Sequence, residues 1–456
     1  MKVLLVRSMI HPKSGSMDQP QMPPLAIYAL GSILKEKGLN VKIVDPSYYG
    51  YKLTDPLLLT KLIQDIDVFC LSTTTFQWNV SIEILEALRK VRPTIPVIVG
   101  GIHVRYFGEE IMNDYPIDFA VEGEGEETLP ELLGALASNR NPREVDGILM
   151  RDNDGRLIRT NKRPPLTVEK LEQTPIPDLT QLPNRVYNVL PFETSRGCIN
   201  NCAFCSIAHR GYWRGISSEI VLNKLGEVLS QYQSKFLTPV VYFVDDCFTV
   251  DNWRATSILS GIRDRHFKCS LMLEARIDQL LQDGVIECLS DSQISMLQIG
   301  VECGYDEGLK KIGKGISIDQ VIMCVEKLKK YNLNHKAVMS FIIGLPWEGF
   351  DEICNTVHFA ADLIRKYGVH INASWWVPMP SRLWNTRLNY GITLDNQIFN
   401  DPLWFASPQL FSRLRPLVSK NEQEIIFQMM HVYHRCVNEL YTRFYLLYSV
   451  DRKHYQ

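Results

Sequence analysis

Short apolar runs rich in β-branched residues alternate with stretches of helical period along most of this chain. Val3–Val6, Val41–Val44, Val68–Ser72, Val97–Val99 and Phe119–Val121 read as five strands. Between them the helical stretches Leu25–Lys37, Val80–Arg92 and Glu127–Ser138 end at stop signals such as Gly38 and Pro93. Strands apolar on both faces and joined by crossover helices predict a parallel sheet covered on each side. The prediction for residues 1–138 is therefore a doubly wound α/β domain. Ligands of such sheets lie beyond the carboxyl ends of the strands. Those ends carry Ser72-Thr73-Thr74-Thr75, Gly100-Gly101-Ile102-His103 and Glu122-Gly123-Glu124-Gly125-Glu126. Glycines at neighbouring strand ends let a backbone approach a bulky ligand, and they serve equally well to make tight turns.

Residues 139–190 change character. Asn141-Pro142, Pro164-Pro165 and Pro175 to Pro177 punctuate a polar connector, with a small hairpin expected around Asp154-Gly155. A second alternating series follows over 191–385. Its strands are Phe192–Thr194, Val240–Val244, Ser270–Glu274, Met296–Val301, Val338–Ile343 and Ile371–Trp376, with helices such as Glu219–Gln231 and Ile318–Tyr331 between them. Six βα units predict an open, partial (β/α)6 barrel, whose chemistry would sit at the C-terminal strand ends. Those ends read Ser195-Arg196-Gly197-Cys198, Asp245-Asp246, Glu274-Ala275-Arg276, Glu302, Gly344-Leu345-Pro346 and Trp375-Trp376. Taken singly, each acid or arginine is as well explained by a solvated salt bridge; their register with the strands singles them out. Residues 386–456 read as a small helical, aromatic cap, with Glu422–Tyr448 its longest helix. Trp375, Trp376, Trp384, Trp404 and Phe405 are expected to pack its core. The His431 and His434 pair has no carboxylate in register to complete a metal site.

Composition narrows the function. The 456 residues are 45% hydrophobic and 22% charged, ordinary for a globular protein of about three domains. Lys and Arg number 49 against 51 Asp and Glu, a net charge of -2, so no basic field favours nucleic acid. The first apolar run is broken at Arg7, which makes it a strand and not a signal peptide, and no stretch has the length of a membrane span. A cytoplasmic protein is expected, in which 11 cysteines would not form a disulfide framework. Most are scattered singly in apolar surroundings. Three are not.

Cys198, Cys202 and Cys205 form a CxxxCxxC run after the first barrel strand. Three thiolates can hold a four-iron cluster and leave one iron open for chemistry. His209, four residues beyond Cys205, offers the alternative of a closed Cys3His zinc site. The loop, with Phe204 before its third cysteine, resembles the defining motif of the radical S-adenosylmethionine (SAM) superfamily. That resemblance implies a [4Fe-4S] cluster on Cys198, Cys202 and Cys205, with SAM on the open iron and a 5'-deoxyadenosyl radical as its product. It also implies SAM-binding roles for Phe204, Asp245, Asp246, Glu274, Arg276, Glu302 and Gly344. An ammonium wants a carboxylate, a carboxylate wants arginine, and ribose hydroxyls want a bidentate acceptor.

The resemblance extends upstream. Met22-Pro23-Pro24-Leu25, Val99-Gly100-Gly101-Ile102-His103 and the Glu122–Glu126 run are similar to the cobalamin-binding domain of the B12-dependent radical SAM subfamily, of Rossmann or flavodoxin-like fold. Asp146-Gly147 and Ile176-Pro177-Asp178 match its connector. Cobalamin contacts are then implied for Leu25, Ser72, Thr73, Thr74, Gly100, Gly101, His103, Glu122, Gly123 and Glu124. The DxHxxG run that places a histidine beneath cobalt in many cobalamin proteins is missing. His11 reads as a loop residue and His103 as one that orders its loop or meets a corrin amide.

The family implies an oxygen-sensitive methyltransferase acting on an unactivated carbon or phosphorus through methylcobalamin. Its substrate would be a small molecule, a peptide or a lipid, and a flavodoxin or ferredoxin would supply electrons. A cyclisation, ring rearrangement or oxidation with the same cofactors is the second enzymatic reading. A non-catalytic cobalamin- or zinc-binding regulator is the third.

Overall fold

The computed structural model describes residues 1–9, 22–45, 53–400, 408–426, 428 and 429. His11, Trp404, Phe405, His431, His434 and most of Glu422–Tyr448 lie outside them. The chain forms two compact units. One comprises residues 1–184 with the segment beginning at Asp395, the other Arg185–Leu394 with the described residues from Pro408 onward.

The first unit is built on a seven-stranded sheet. Its strands are β1 (Lys2–Arg7), β2 (Asn40–Val44), β3 (Val68–Ser72), β4 (Val97–Gly100), β5 (Phe119–Val121), β6 (Ile148–Arg151) and β7 (Leu157–Arg159), in the order β2-β1-β3-β4-β5-β6-β7. The first five are parallel and give the doubly wound core. Val3 to Val6 are all buried, as strands covered on both faces require. The strand order reverses between β1 and β3, the point at which such sheets open a crevice. β6 and β7 run antiparallel and continue the sheet beyond β5. The hairpin read around Asp154-Gly155 is thus part of the first sheet. Its turn is held by Asp152, whose Oδ1 accepts from the Asp154 and Arg156 amides at 3.0 and 2.8 Å. The segment Asn396–Asn400 also joins this unit, with Phe399 buried against Phe107 at 5.3 Å between ring centroids. The sequence pattern had grouped it with the C-terminal cap.

The second unit holds six parallel strands in chain order: β8 (Val189–Phe192), β11 (Val240–Phe243), β12 (Ser270–Arg276), β13 (Ile294–Glu302), β14 (Ala337–Ile343) and β15 (His370–Trp375). β8 and β15 are its two edges, so the sheet is open, as the six-unit count predicts. A short antiparallel ribbon of β9 (Ser195–Arg196) and β10 (Arg214–Gly215) follows β8 and brackets the cysteine run. Trp376 and Trp384 are buried at 2% and 1% exposure and pack the core. Trp375 meets Phe411 edge-on at 4.7 Å. No described helix is long and apolar enough to cross a membrane.

Where β3 and β4 end, their backbones touch. The Thr73 amide donates to the Gly100 carbonyl at 3.0 Å, and Gly101 sits at φ +102 with the place of a Cβ only 2.4 Å from the Thr73 carbonyl oxygen. Gly101→Ala would add left-handed strain to a backbone clash. We expect it to cost about 2–4 kcal/mol, seen as a lower urea midpoint for the first unit. A midpoint equal to that of the parent would contradict this packing.

Candidate active site

The cysteine run leaves β9 through Gly197, at φ +85, where a Cβ would stand 2.0 Å from the Tyr212 carbonyl oxygen, so only glycine passes. The loop is then clamped through its backbone. The Cys198 amide donates to the His209 carbonyl at 3.2 Å, the Ala203 amide to Ile312 at 2.8 Å, and the Leu383 amide to Ala203 at 2.8 Å. Arg210 adds a hydrogen bond to the Cys205 carbonyl at 2.8 Å. Cys198 and Cys202 are buried and Cys205 is half-buried. The sulfurs face donors. The Asn200 amide and side chain both reach Cys198 Sγ at 3.5 Å, and the Arg276 guanidinium reaches Cys202 Sγ at 3.8 Å. Burial pushes the Cys205 thiol up to about 11, with neighbouring Cys202, Asp246 and Cys198 adding to the rise. The three thiols therefore share one environment.

Among the described residues no three Cys, His, Asp or Glu side chains are gathered tightly enough to hold a single metal ion, the Cys3His set with His209 included. Ligands of a four-iron cube bind different irons and stand further apart than ligands of one ion. Thiols held in one clamped loop, with N–H donors aimed at two of the sulfurs, fit such a cluster.

Four acids surround the mouth of this sheet, and they are not equivalent. Asp245 is buried and fully engaged. It accepts from the Thr194 amide at 2.7 Å, the Thr194 hydroxyl at 2.5 Å and the Ser195 hydroxyl at 2.5 Å. Burial raises its pKa, opposed by Arg254 and these hydrogen bonds. Glu302, at φ +78 on a bulge of β13, pairs with Lys314 at 3.0 Å in a buried salt bridge. Asp246 accepts from the Gly197 amide at 3.0 Å, and Glu274 from the Tyr242 hydroxyl at 2.6 Å. Asp246 is exposed and Glu274 half-buried, and neither forms an ion pair among the described residues. The pKa of each is raised by desolvation first; the other carboxylates add to it, and His209 opposes the rise at Asp246.

Arg276 is buried and fixed by Asp278 at 3.0 Å and by the Lys314 carbonyl at 2.5 Å. Phe204 is half-buried in the clamped loop. Gly344 sits at φ +70, and the place of its Cβ lies 2.5 Å from Arg415 Nε. Arg415 is itself buried, stacked at 3.9 Å on Phe411, and donates to the Trp376 carbonyl at 2.7 Å.

In the first unit the strand ends gather hydroxyls. Ser81 Oγ lies 2.7 Å from both Ser8 Oγ and Thr73 Oγ1. Thr74 caps the following turn and Ser72 is half-buried at the end of β3. Leu25 opens its helix, half-buried. Gly100 ends β4, and Gly123, at φ +94, has open space where a Cβ would point. The acids of the Glu122–Glu126 run hold structure. Glu122 accepts from Arg159 at 3.1 and 3.2 Å, and Glu124 from the Leu166 amide at 2.6 Å. His103 lies in the core at 1% exposure, stacked on Trp78 at 4.7 Å, with Nδ1 3.4 Å from Thr75 Oγ1.

Residues 19–133 match the family described as B12 binding domain, and residues 192–360 match the Radical SAM superfamily. A relative from Pyrococcus horikoshii, named an uncharacterized methyltransferase, is 30% identical over 91% of this chain and 92% of its own. The chain belongs to the cobalamin-dependent radical SAM enzymes. Its cofactors are cobalamin, SAM and a [4Fe-4S] cluster. The fold is also that of two solved structures. OxsB, a cobalamin-dependent SAM radical enzyme with aqua-cobalamin and SAM bound, gives a TM-score of 0.68 at 21% identity, over 95% of this chain and 61% of OxsB. This chain therefore spans less than two thirds of OxsB. TsrM from Kitasatospora setae, a radical SAM methyltransferase with tryptophan and a SAM analogue bound, gives 0.68 at 17% identity, over 90% of this chain and 82% of TsrM.

Within this radical SAM enzyme the structure brings the three cysteines, Asp245, Asp246, Glu274, Arg276 and Glu302 to one end of the second sheet. Sequence reasoning placed Thr194 and Ser195 at the strand end without a role and missed Arg254, Asp278 and Lys314, of which Lys314 left a trace, lying between Gly313 and Gly315. Of the two readings of His103, ordering its loop or meeting a corrin amide, the inward-turned ring beside Thr75 agrees with the first.

Burial pushes the His103 imidazole down to about 3. Below about pH 6.5 the unfolded chain takes up a proton that the folded chain refuses. Stability of the first unit should therefore rise with pH between about 3 and 6.5, by up to about 1.4 kcal/mol per pH unit, and be lost as pH falls. His103→Phe keeps a ring beside Trp78 and removes this proton, so the acid limb of urea midpoint against pH should flatten. An unchanged limb would count against the burial of a neutral imidazole.

Proposed function

We propose that this enzyme is a methyltransferase that adds a methyl group to an unactivated carbon or phosphorus of a small-molecule, peptide or lipid substrate. The observation that carries the reading is the presence, on one chain, of a sheet matching the B12-binding family and a thiol loop flanked by two acids that form no ion pair among the described residues. The extended similarity to a relative named a methyltransferase supports it.

In this reading Cys198, Cys202 and Cys205 hold the cluster and leave one iron for SAM. Asp246 and Glu274 receive the SAM ammonium, because a cation relieves the repulsion and desolvation that raise their pKa values. Asp245 and Glu302 are already matched and act by position: Asp245 fixes the start of the loop, while Glu302 and Lys314 present a neutral, polar wall to the ribose. Phe204 and the backbone at Gly344 flank the nucleoside. In the first unit, Ser72, Thr74, Gly100 and Gly123 offer hydroxyl and backbone groups to the corrin side chains, with Thr73 buried behind them. Gly101, Glu122 and Glu124 maintain the loops that carry them, and Leu25 stands at the start of its helix as a further contact. When bound, the cluster supplies the electron that cleaves SAM, and cobalamin carries the methyl group. The electron itself comes from a flavodoxin- or ferredoxin-type donor.

The test is product mass under anaerobic conditions with all cofactors supplied. A gain of about 14 Da on the substrate is expected; turnover without it would favour a cyclisation, rearrangement or oxidation. Alanine at Cys198, Cys202 or Cys205 should remove the broad iron–sulfide absorbance near about 400 nm and reduce 5'-deoxyadenosine formation to background. Retention of both by any one variant would remove that cysteine from the assignment.

A further inference from the structure

Arg276 was expected beside the SAM carboxylate, yet its guanidinium is already committed. NH1 points at Cys202 Sγ from 3.8 Å, Nε donates to Asp278 at 3.0 Å, and NH2 donates to the Lys314 carbonyl at 2.5 Å. The side chain is 7% exposed, and that of Asp278 is 36% exposed. A planar fork held at two corners keeps its third aimed at the sulfur.

We propose that Arg276 sets how readily the cluster accepts its electron, and that Asp278 opposes it. The inference rests on the assignment of Cys202 as a cluster ligand. One-electron reduction adds a unit of negative charge that spreads over the cluster and its thiolate sulfurs. The electron is supplied by oxidation of a flavodoxin- or ferredoxin-type donor, and no proton moves. A buried cation that donates to one of those sulfurs stabilises the reduced form more than the oxidised form and raises the potential. Asp278 lies on the far side of the same guanidinium and partly cancels its charge. Removing either residue should therefore move the potential in opposite directions. General damage to the loop would not do that.

Lys314 makes the arrangement cooperative. Its carbonyl holds Arg276 while its ammonium pairs with Glu302 at 3.0 Å, so the ends of β12 and β13 are joined through one residue. The Gly313-Lys314-Gly315 turn permits this, with both glycines at positive φ.

The experiment uses the full-length protein, reconstituted anaerobically with iron and sulfide and titrated without SAM, with the visible and EPR signals of the cluster as readout. Arg276→Gln should make reduction about tenfold less favourable, a fall of about 59 mV for a one-electron couple. Asp278→Asn should raise the potential, and Arg276→Lys should fall between Arg276→Gln and the parent. SAM affinity is measured alongside. A full cluster at the parent potential in both Arg276→Gln and Asp278→Asn would overturn the inference. So would shifts of the same sign, or a loss of SAM affinity in Arg276→Gln at unchanged potential, which would return Arg276 to the SAM carboxylate. If Arg276→Gln assembles no cluster, the sign of the Asp278→Asn shift decides. Failure of the parent itself to assemble a cluster would overturn the assignment of the cysteines, and this inference with it.

Discussion

The carboxylate of Asp245 is the constraint on which the mouth of the second sheet depends. Buried without access to water, it takes two hydrogen bonds from Thr194 and one from Ser195, the residues that carry the chain from β8 into the β9 ribbon. Arg254 faces it and binds the Thr194 and Ile216 carbonyls on either side of that ribbon. A charge this deeply desolvated is tolerated only when its hydrogen-bonding capacity is filled. The requirement works in both directions. The carboxylate needs those donors, and the donors fix where the thiol loop begins.

From that fixed point the remaining charges acquire distinct roles. Glu302 is paired with Lys314 and Asp245 is satisfied by Thr194 and Ser195, with Arg254 adding attraction, whereas Asp246 and Glu274 form no ion pair among the described residues. Carboxylates gathered at one sheet mouth repel one another, which adds to the raised pKa values of Asp246 and Glu274. The cations present are turned elsewhere, with Arg276 directed to a cysteine sulfur. The result is a divided field, with the Asp246 and Glu274 carboxylates on one side and a guanidinium directed at a thiol sulfur on the other.

The first unit solves a different problem. Its strand ends must remain open to a large ligand while the sheet continues for two more antiparallel strands. The acids nearest those ends are engaged in that continuation: Glu122 with Arg159 on β7 and Glu124 with the Leu166 amide. The Ser8, Thr73 and Ser81 hydroxyls satisfy one another at the switch between β1 and β3. His103 and Trp78 stack on one another, and the double glycine is a packing device, with the place of a Gly101 Cβ against the Thr73 carbonyl oxygen.

Periodicity predicted the α/β class, the parallel strands and the six-unit open barrel, and the resemblance of the sequence motifs to a known family supplied the rest. Each of these depends on patterns local in sequence: a run of β-branched residues, a glycine stop, three cysteines in one loop. Which acids are matched within the protein was legible only in three dimensions. Asp245 and Asp246 are neighbours in the chain, yet one is buried and accepts three hydrogen bonds from Thr194 and Ser195 while the other is exposed and accepts from the Gly197 amide. Lys314 reaches Glu302 and Arg276 across separate strands. The addition of β6 and β7 to the first sheet and the return of Phe399 to its core were hidden for the same reason. A pairing between residues far apart in sequence leaves no local period, and its energy exists only once the fold has removed both partners from water.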